Sequence, residues 1–174
     1  NYFLKKLKVK KITSIGNLKF IEHDSFETNQ ADKKLFSQFR KYKTFVAAST
    51  HNTEELFAAK THILLKKKIK NIITIIIPRH INRIDQIISQ INELGLNAIS
   101  RRSNKKKLDN IDIYLVDTFG ESKKFYKFAT TVFLGGSIIK RGGQNPLEPA
   151  RFGAKILHGP NICLLYTSPS PRDP

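Results

Sequence analysis

The hydrophobic residues of the chain fall into short, nearly continuous runs, and between them lie segments in which apolar residues recur every three or four positions. Unbroken apolar runs are typical of buried parallel strands, whereas the second pattern is typical of amphipathic helices. The predicted strands cover residues 44–49, 71–77, 97–101, 112–116, 131–134 and 154–158. The predicted helices cover residues 53–67, 81–94, 121–129 and 146–152.

The order of these elements predicts the fold class. Strands and helices alternate through short connections, which indicates an α/β domain with a doubly wound, mostly parallel and Rossmann-like sheet. We expect Asn52 to cap the first of these helices, with Glu55 three residues further on. Ligands of such sheets bind at the carboxyl ends of the strands, so we expect the functional residues there.

The chemically most informative segment follows the fifth predicted strand, where residues 135–150 read GGSIIKRGGQNPLEPA. Its glycines would let the N–H groups of Gly136 and Ser137 face an anion, and Asn145 would open a helix whose positive end points the same way. Glu148 could then accept hydrogen bonds from a ribose diol. The alternative is a capping box, in which Glu148 only reaches back to the Asn145 amide.

The charge of the chain indicates an anionic partner, but it does not show which kind. The formal net charge is +17, from 31 basic and 14 acidic residues. Such a field attracts nucleic acid, anionic lipid or a sugar nucleotide alike, and each single basic run can also be an ordinary solvated face. Aromatic residues are not interleaved with the basic runs, as a platform for single-stranded nucleic acid would require.

Length and cysteine usage add further limits. A chain of 174 residues fits one ordinary core, and because it contains no methionine we expect Asn1 not to be a native start and the chain to be a fragment. The single cysteine, Cys163, excludes an internal disulfide and is compatible with a reducing compartment. It lies in residues 163–174, which lack periodicity and which we interpret as a non-native tail.

Five short segments form an ordered set between Gly16 and Asn161. They are Gly16-Asn17-Leu18-Lys19-Phe20, Ala48-Ser49-Thr50-His51 with Glu54-Glu55, Pro78-Arg79-His80, Asp117-Thr118-Phe119-Gly120-Glu121, and the run from Gly135 to Ala150. In this order they resemble the motifs of the 3-deoxy-D-manno-octulosonic acid (Kdo) transferases. Two positions depart from the family pattern: Gln144 stands where histidine is more usual, and Ile21 stands where aspartate is frequent.

The resemblance implies the C-terminal, donor-binding lobe of a GT-B glycosyltransferase. Residues 1–30 would end the N-terminal domain and form the linker, and residues 31–162 would form a CMP-Kdo binding domain truncated at its C-terminus. The implied reaction moves Kdo from CMP-Kdo to a lipid A precursor, with inversion, in lipopolysaccharide core biosynthesis. The general base would belong to the N-terminal domain, so we expect the fragment alone to be inactive.

The resemblance also implies the residues of the site. The implied substrate-binding residues are Pro78, Arg79, Phe119, Gly120, Glu121, Gly136, Ser137, Asn145, Pro146, Leu147 and Glu148. Among them, Arg79 would make a forked contact with the nucleotide. Phe119, Gly120 and Glu121 would either clamp the cytosine ring with their backbone or form an ordinary strand-to-helix turn. Lys19 would be catalytic, by stabilising the departing phosphate or the sugar carboxylate.

Partners and location follow from the same resemblance. We expect the CMP-Kdo donor, a lipid A precursor as acceptor and an anionic membrane surface at the cytoplasmic face of the cell inner membrane, and no nucleic acid. No Asp-x-Asp motif occurs, and a nucleoside monophosphate leaving group needs less positive charge than a diphosphate, so we predict no metal and no cofactor.

Other functions stay open on the sequence alone. His51 and His80 could be general bases or metal ligands, although neither has an acidic partner at a telling spacing. Another GT-B enzyme that uses a UDP- or GDP-sugar would fit the glycine-rich run and Glu148. A basic nucleic-acid-binding module would fit the charge.

Overall fold

The structure is a computed structural model, and it describes residues 30–103 and 107–162. The helices are α1 (Gln30–Phe39), α2 (Glu54–Lys66), α3 (Ile84–Glu93), α4 (Ser122–Tyr126) and α5 (Leu147–Arg151), with a 3-10 turn at Ile81–Arg83 before α3. The strands are β1 (Lys43–Thr50), β2 (Ile72–Pro78), β3 (Ala98–Ser100), β4 (Ile113–Leu115), β5 (Ala129–Leu134) and β6 (Lys155–His158).

The strands form one sheet in the order β3-β4-β2-β1-β5-β6, and every neighbouring pair is parallel. The chain moves outward from β1 through β2 to β3, and later returns to the other side of β1 with β5 and β6. The order therefore reverses at β1, and the predicted doubly wound, Rossmann-like α/β fold is confirmed.

Helices cover both faces of the sheet because its strands are apolar on both sides. All residues of β2 are buried, and consecutive side chains enter opposite layers. Ile75 packs in the layer that holds Phe39 of α1 and Phe125 of α4. Ile76 packs in the other layer, against Ile87 of α3.

All the predicted strands are present, with ends shifted by at most two residues. The predicted helix at 121–129 is shorter in the structure, since Ala129 already begins β5. The sequence pattern does not predict α1, whose Phe39 packs edge to face on Tyr114 and Phe125. Within the described residues no helix is long and apolar enough to cross a membrane.

The start of α2 corrects the predicted helix cap. Asn52 is not the cap: Thr53 holds that position with φ 77° and makes no side-chain cap hydrogen bond, while Asn52 Oδ1 accepts one from Thr53 N at 3.1 Å. Glu54, rather than Glu55, reaches back to accept a hydrogen bond from His51 N at 3.0 Å. The helix therefore begins with the hydrogen bond between His51 N and Glu54 rather than with a side-chain cap.

Candidate functional site

The candidate residues follow the strands at one edge of the sheet, which we call the carboxyl edge and define by the strand ends Thr50, Pro78, Leu115 and Leu134. Parallel pairing brings these ends together, since Thr50 pairs with Pro78 in the register of β1 and β2 and Leu134 pairs with Ala48 in that of β5 and β1. The segments that carry the substrate-binding candidates all leave from this edge.

Glu54 occupies the backbone amides of the glycine-rich segment after β5. Its buried carboxylate accepts hydrogen bonds from Gly136 N at 2.7 Å, Ser137 N at 3.2 Å and Ile138 N at 3.0 Å. The sequence suggested that these amides face outward and cradle a phosphate. In the structure the anion that they bind is a carboxylate of the same chain, because α2 packs against this segment.

Ser137 has a structural environment as well. Its side chain is fully buried, its hydroxyl donates to the Leu134 carbonyl, and it accepts a hydrogen bond from Gly159 N at 2.8 Å. The hydroxyl group thus joins the end of β5 to the segment after β6. Both hydrogen bonds are internal, so this side chain holds the carboxyl edge together.

The Asn145-Pro146-Leu147-Glu148 segment opens a short helix. Asn145 Oδ1 accepts a hydrogen bond from Leu147 N at 3.1 Å, and Pro146 is the N-cap of α5. α5 has five residues, so few peptide dipoles add up along it, and its end attracts an anion less than the sequence suggested. Glu148 is half-buried near Tyr126, whose pKa is raised by burial and then by the Glu148 charge.

Arg79 and Phe119 are the most open of the substrate-binding candidates. Arg79 is exposed directly after buried Pro78, and its amide donates to the Thr50 carbonyl at 2.8 Å. Phe119 is 76% exposed and precedes Gly120, whose φ of 73° suits glycine. Both side chains are therefore open to solvent at the carboxyl edge.

Glu121 lies at the start of α4 and is part of an ion cluster formed by Asp32, Arg101, Glu121 and Lys124. Its carboxylate accepts hydrogen bonds from Arg101, from the Thr118 hydroxyl and from Lys124 at 2.9 Å. Burial alone would raise the pKa of Glu121, but these hydrogen bonds lower it to about 2. The carboxylate is committed to the cluster, which leaves the backbone of residues 119–120 as the open part of this turn.

A pocket of about 630 Å³ opens beside the ion cluster. Its walls include Asp32, Arg101, Arg102, Tyr114 and Thr118. Since the pocket adjoins the turn after β4, a ligand at the carboxyl edge could extend into it. Within residues 30–103 and 107–162, no group of three His, Cys, Asp or Glu side chains could hold a metal ion.

His51 and His80 lie next to each other, with ring centroids 5.7 Å apart in an edge-to-face arrangement. Burial lowers the pKa of His51, and the positive charges of His80, Arg141 and Arg79 lower it further, whereas Glu54 raises it. The sequence pattern predicts neither that the two histidines are neighbours nor that Arg141 lies close to them. Only the fold shows that β1, β2 and β5 bring them together.

Lys19, the predicted catalytic residue, lies outside the described residues. In the sequence, Glu54 stands out only as part of a family motif, and no role is predicted for it. Its neighbour Glu55 is also buried and pairs with Arg83 at 3.2 Å. Two adjacent glutamates after a strand give no local signal that only one binds distant amides.

No family model matches the chain. A 3-deoxy-D-manno-octulosonic acid transferase from Rickettsia felis is 36% identical over 150 residues, which are 86% of this chain and 32% of that protein. The protein of the same description from Haemophilus influenzae is 30% identical over 150 residues, with 86% and 35% covered. The chain thus spans about a third of the length of the curated relatives it matches.

A solved structure is similar too. The C-terminal CMP-Kdo binding domain of WaaA from Acinetobacter baumannii matches with a TM-score of 0.71 and 26% sequence identity, covering 79% of this chain and 72% of that one. The ordered motifs, the sequence similarity and the shared fold agree with one another. Over 86% of its length the chain is therefore similar to the 3-deoxy-D-manno-octulosonic acid transferases.

Proposed function

We propose that the chain binds CMP-Kdo at the carboxyl edge and supplies the donor site of a Kdo transferase. The observation that carries the proposal is the meeting of the loops after β2, β4 and β5 at that edge, in a domain similar to the CMP-Kdo binding domain of the A. baumannii protein. The edge lies where the strand order reverses, which is the usual ligand position in doubly wound sheets.

In the proposed reaction, a hydroxyl group of a lipid A precursor attacks the anomeric carbon of Kdo from the side opposite to CMP. The bond between that carbon and the phosphate oxygen breaks, and its electron pair leaves with CMP. The hydroxyl proton passes to a general base, and the configuration of the anomeric carbon is inverted. Cations beside the phosphate favour this step because they stabilise the charge of the departing CMP, and Arg79 is an exposed cation of the candidate set.

Calorimetric titration of the chain with CMP and UMP tests the donor site. We expect CMP to bind more tightly than UMP, and Arg79→Ala or Glu148→Ala to weaken CMP by about 1–3 kcal/mol each. Lys68→Ala and Glu93→Ala are charge-matched controls at exposed positions away from the carboxyl edge. A folded chain that does not bind CMP, or that binds UMP equally well, would contradict the proposal, and the second result would favour a UDP-sugar enzyme.

We also propose that an anionic membrane surface at the cytoplasmic face of the inner membrane contacts the opposite edge of the sheet, where the amino ends of the strands lie. Exposed cations surround the connections that enter β1 and β2: Arg40, Lys41, Lys43, Lys67, Lys68 and Lys70. Each cation near an anionic surface contributes about 1 kcal/mol. A membrane bound there leaves the carboxyl edge accessible to the donor.

Sedimentation with vesicles tests this contact. We expect more binding to vesicles that contain anionic lipid than to zwitterionic ones, and a loss of that difference when Lys67, Lys68 and Lys70 are all replaced by alanine. Equal sedimentation with both kinds of vesicle would remove the membrane contact from the account.

A further inference from the structure

Four side chains that can carry positive charge lie near one another at the carboxyl edge, where His80, Arg141 and Arg79 all act on the charge of His51. His51 follows β1, Arg79 and His80 follow β2, and Arg141 follows β5. A Cβ atom at Gly136 would lie 3.4 Å from Arg141 Cβ and 3.5 Å from Cδ2 and Nε2 of His51. The missing side chain at Gly136 therefore lets His51 and Arg141 approach each other from different loops.

The backbone around these side chains is fixed by hydrogen bonds. Glu54 Oε2 accepts from both His51 N at 3.0 Å and Gly136 N at 2.7 Å, so one oxygen atom joins the loops after β1 and β5. The Arg79 amide donates to the Thr50 carbonyl, which joins the loops after β1 and β2. Because the main chain of these loops is already held in this way, a ligand that binds here does not have to order the loops themselves.

The electrostatic environment of His51 favours an anion beside it. Burial is the main cause that lowers the pKa of this imidazole, and the charges of His80, Arg141 and Arg79 act in the same direction. The negative charge of Glu54 raises the pKa of His51, but this carboxylate already accepts hydrogen bonds from the buried amides of Gly136 and Ser137. An anion placed among the four groups would offset this repulsion and stabilise the protonated imidazole.

We propose that His51, His80 and Arg141, together with Arg79, form a subsite for an anionic oxygen group of the nucleotide-sugar donor; this rests on the proposed function. The donor carries two groups of this chemistry, the phosphate and the carboxylate of the sugar. The anion is bound by these side chains rather than by the amides of the glycine-rich segment, because those amides already donate to Glu54. Binding of the anion takes up a proton at His51.

Calorimetry of the 174-residue chain with cytidine, CMP and CMP-Kdo tests the subsite. Arg141→Ala removes an exposed charge, and Lys155→Ala removes an exposed charge at the start of β6 as a control. We expect Arg141→Ala to weaken the anionic ligand about tenfold and to leave cytidine binding unchanged, whereas Lys155→Ala binds as the wild type does. If Arg141→Ala binds both CMP and CMP-Kdo more weakly, the subsite holds the phosphate. If it binds only CMP-Kdo more weakly, the subsite holds the carboxylate of the sugar.

Titrations near neutral pH in two buffers of different ionisation enthalpy measure proton uptake. We expect the wild-type chain to take up protons when the ligand binds, and His51→Asn to take up fewer. The melting temperature of Arg141→Ala should equal that of the wild type. If CMP and CMP-Kdo bind to the wild type and Arg141→Ala with equal affinity, and His51→Asn takes up as many protons, the subsite is wrong while the donor site stands. If the wild type binds neither ligand, the proposed function itself fails, and the subsite with it.

Discussion

Glu54 Oε2 accepts a hydrogen bond from Gly136 N at 2.7 Å, although 82 residues separate them in the sequence. The same buried carboxylate holds the amides of His51, Ser137 and Ile138. It therefore joins the loops that follow β1 and β5, two strands that pair in the centre of the sheet. The amides of Gly136, Ser137 and Ile138 therefore bind an internal carboxylate.

Glu54→Gln tests this link. The glutamine amide keeps one acceptor oxygen but turns a donor toward N–H groups, so at least one buried amide loses its partner. We expect the free energy of unfolding to fall by about 2–3 kcal/mol in urea denaturation. Glu93→Gln on the exposed side of α3 is the control and should change it by less than about 0.5 kcal/mol. Equal stability of the two variants would show that the carboxylate does not hold the segment.

Gly135→Ala tests how closely β5 approaches β1 at their carboxyl ends. A Cβ atom there would lie 2.6 Å from both the Ser49 carbonyl carbon and Thr50 Cα, and this backbone cannot move without disturbing β1. We expect a loss of more than about 3 kcal/mol, or failure to fold. Gly95→Ala is the matched comparison: it has free space but φ 75°, so only backbone strain of about 1 kcal/mol applies. Similar melting temperatures for the two variants would contradict the close approach.

His62 makes stability depend on pH. Its buried ring is within hydrogen-bonding distance of Thr74 Oγ1 at 2.9 Å and Asp112 Oδ1 at 3.3 Å. Burial lowers the pKa of His62 although Asp112 opposes the shift, so the unfolded chain binds the proton more readily. The neutral His62 ring therefore contributes fully to the stability of the fold above pH 6.5, the ordinary pKa of histidine. This contribution is lost as the pH falls below that value.

Urea denaturation at pH 7.5 and pH 5.5 measures this effect. We expect the wild type to be less stable at the lower pH, and His62→Gln to lose part of that difference. His51, whose pKa is also lowered, contributes in the same direction, so His51→Asn serves as the second comparison. A wild type that is equally stable at both pH values would contradict the assignment.

Arg101 holds the ion cluster together, since it pairs with Asp32 at 2.5 Å and with Glu121. Arg101→Met leaves these mostly buried carboxylates with less compensation, so we expect a loss of about 2–3 kcal/mol in the free energy of unfolding. Arg102→Met removes an exposed neighbour and should change it by less than about 0.5 kcal/mol. Equal losses in urea denaturation would mean that general charge, rather than the cluster, is responsible.

The ion cluster also predicts acid sensitivity. The pKa of Glu121 is about 2 in the folded chain and 4.5 in the absence of its neighbours. Its contribution is therefore complete above pH 4.5 and is lost as the pH falls toward 2. We expect acid unfolding of Glu121→Gln to be less steep in this window, and an unchanged slope would count against the lowered pKa.

The strands and their order could be predicted because the apolar runs are long enough to be buried from both sides. The ten-residue helix α1 escaped prediction because its first half is polar. Its burial depends on contacts between Phe39 and residues more than 70 positions away, such as Tyr114. A local pattern cannot report such a distant packing partner.

The sequence predicts where the candidate segments lie, but it does not predict how their atoms are arranged. The sequence located the loops after β2, β4 and β5 correctly at one edge, since parallel strands require it. It could not tell whether the amides of Gly136 and Ser137 face outward or inward, because the answer depends on Glu54 in a distant part of the chain. For the same reason the sequence does not reveal that His51 and Arg141 both lie beside Gly136.

Amide chemical shifts of the 15N-labelled chain during titration with CMP test the central claim most directly. We expect the largest shifts at the carboxyl edge, at residues 79–80, 119–120 and 145–148. We expect the amides of Lys41 and Lys70, at the opposite edge, to stay unchanged. Shifts concentrated at the opposite edge, or no shifts in a folded chain, would contradict the account.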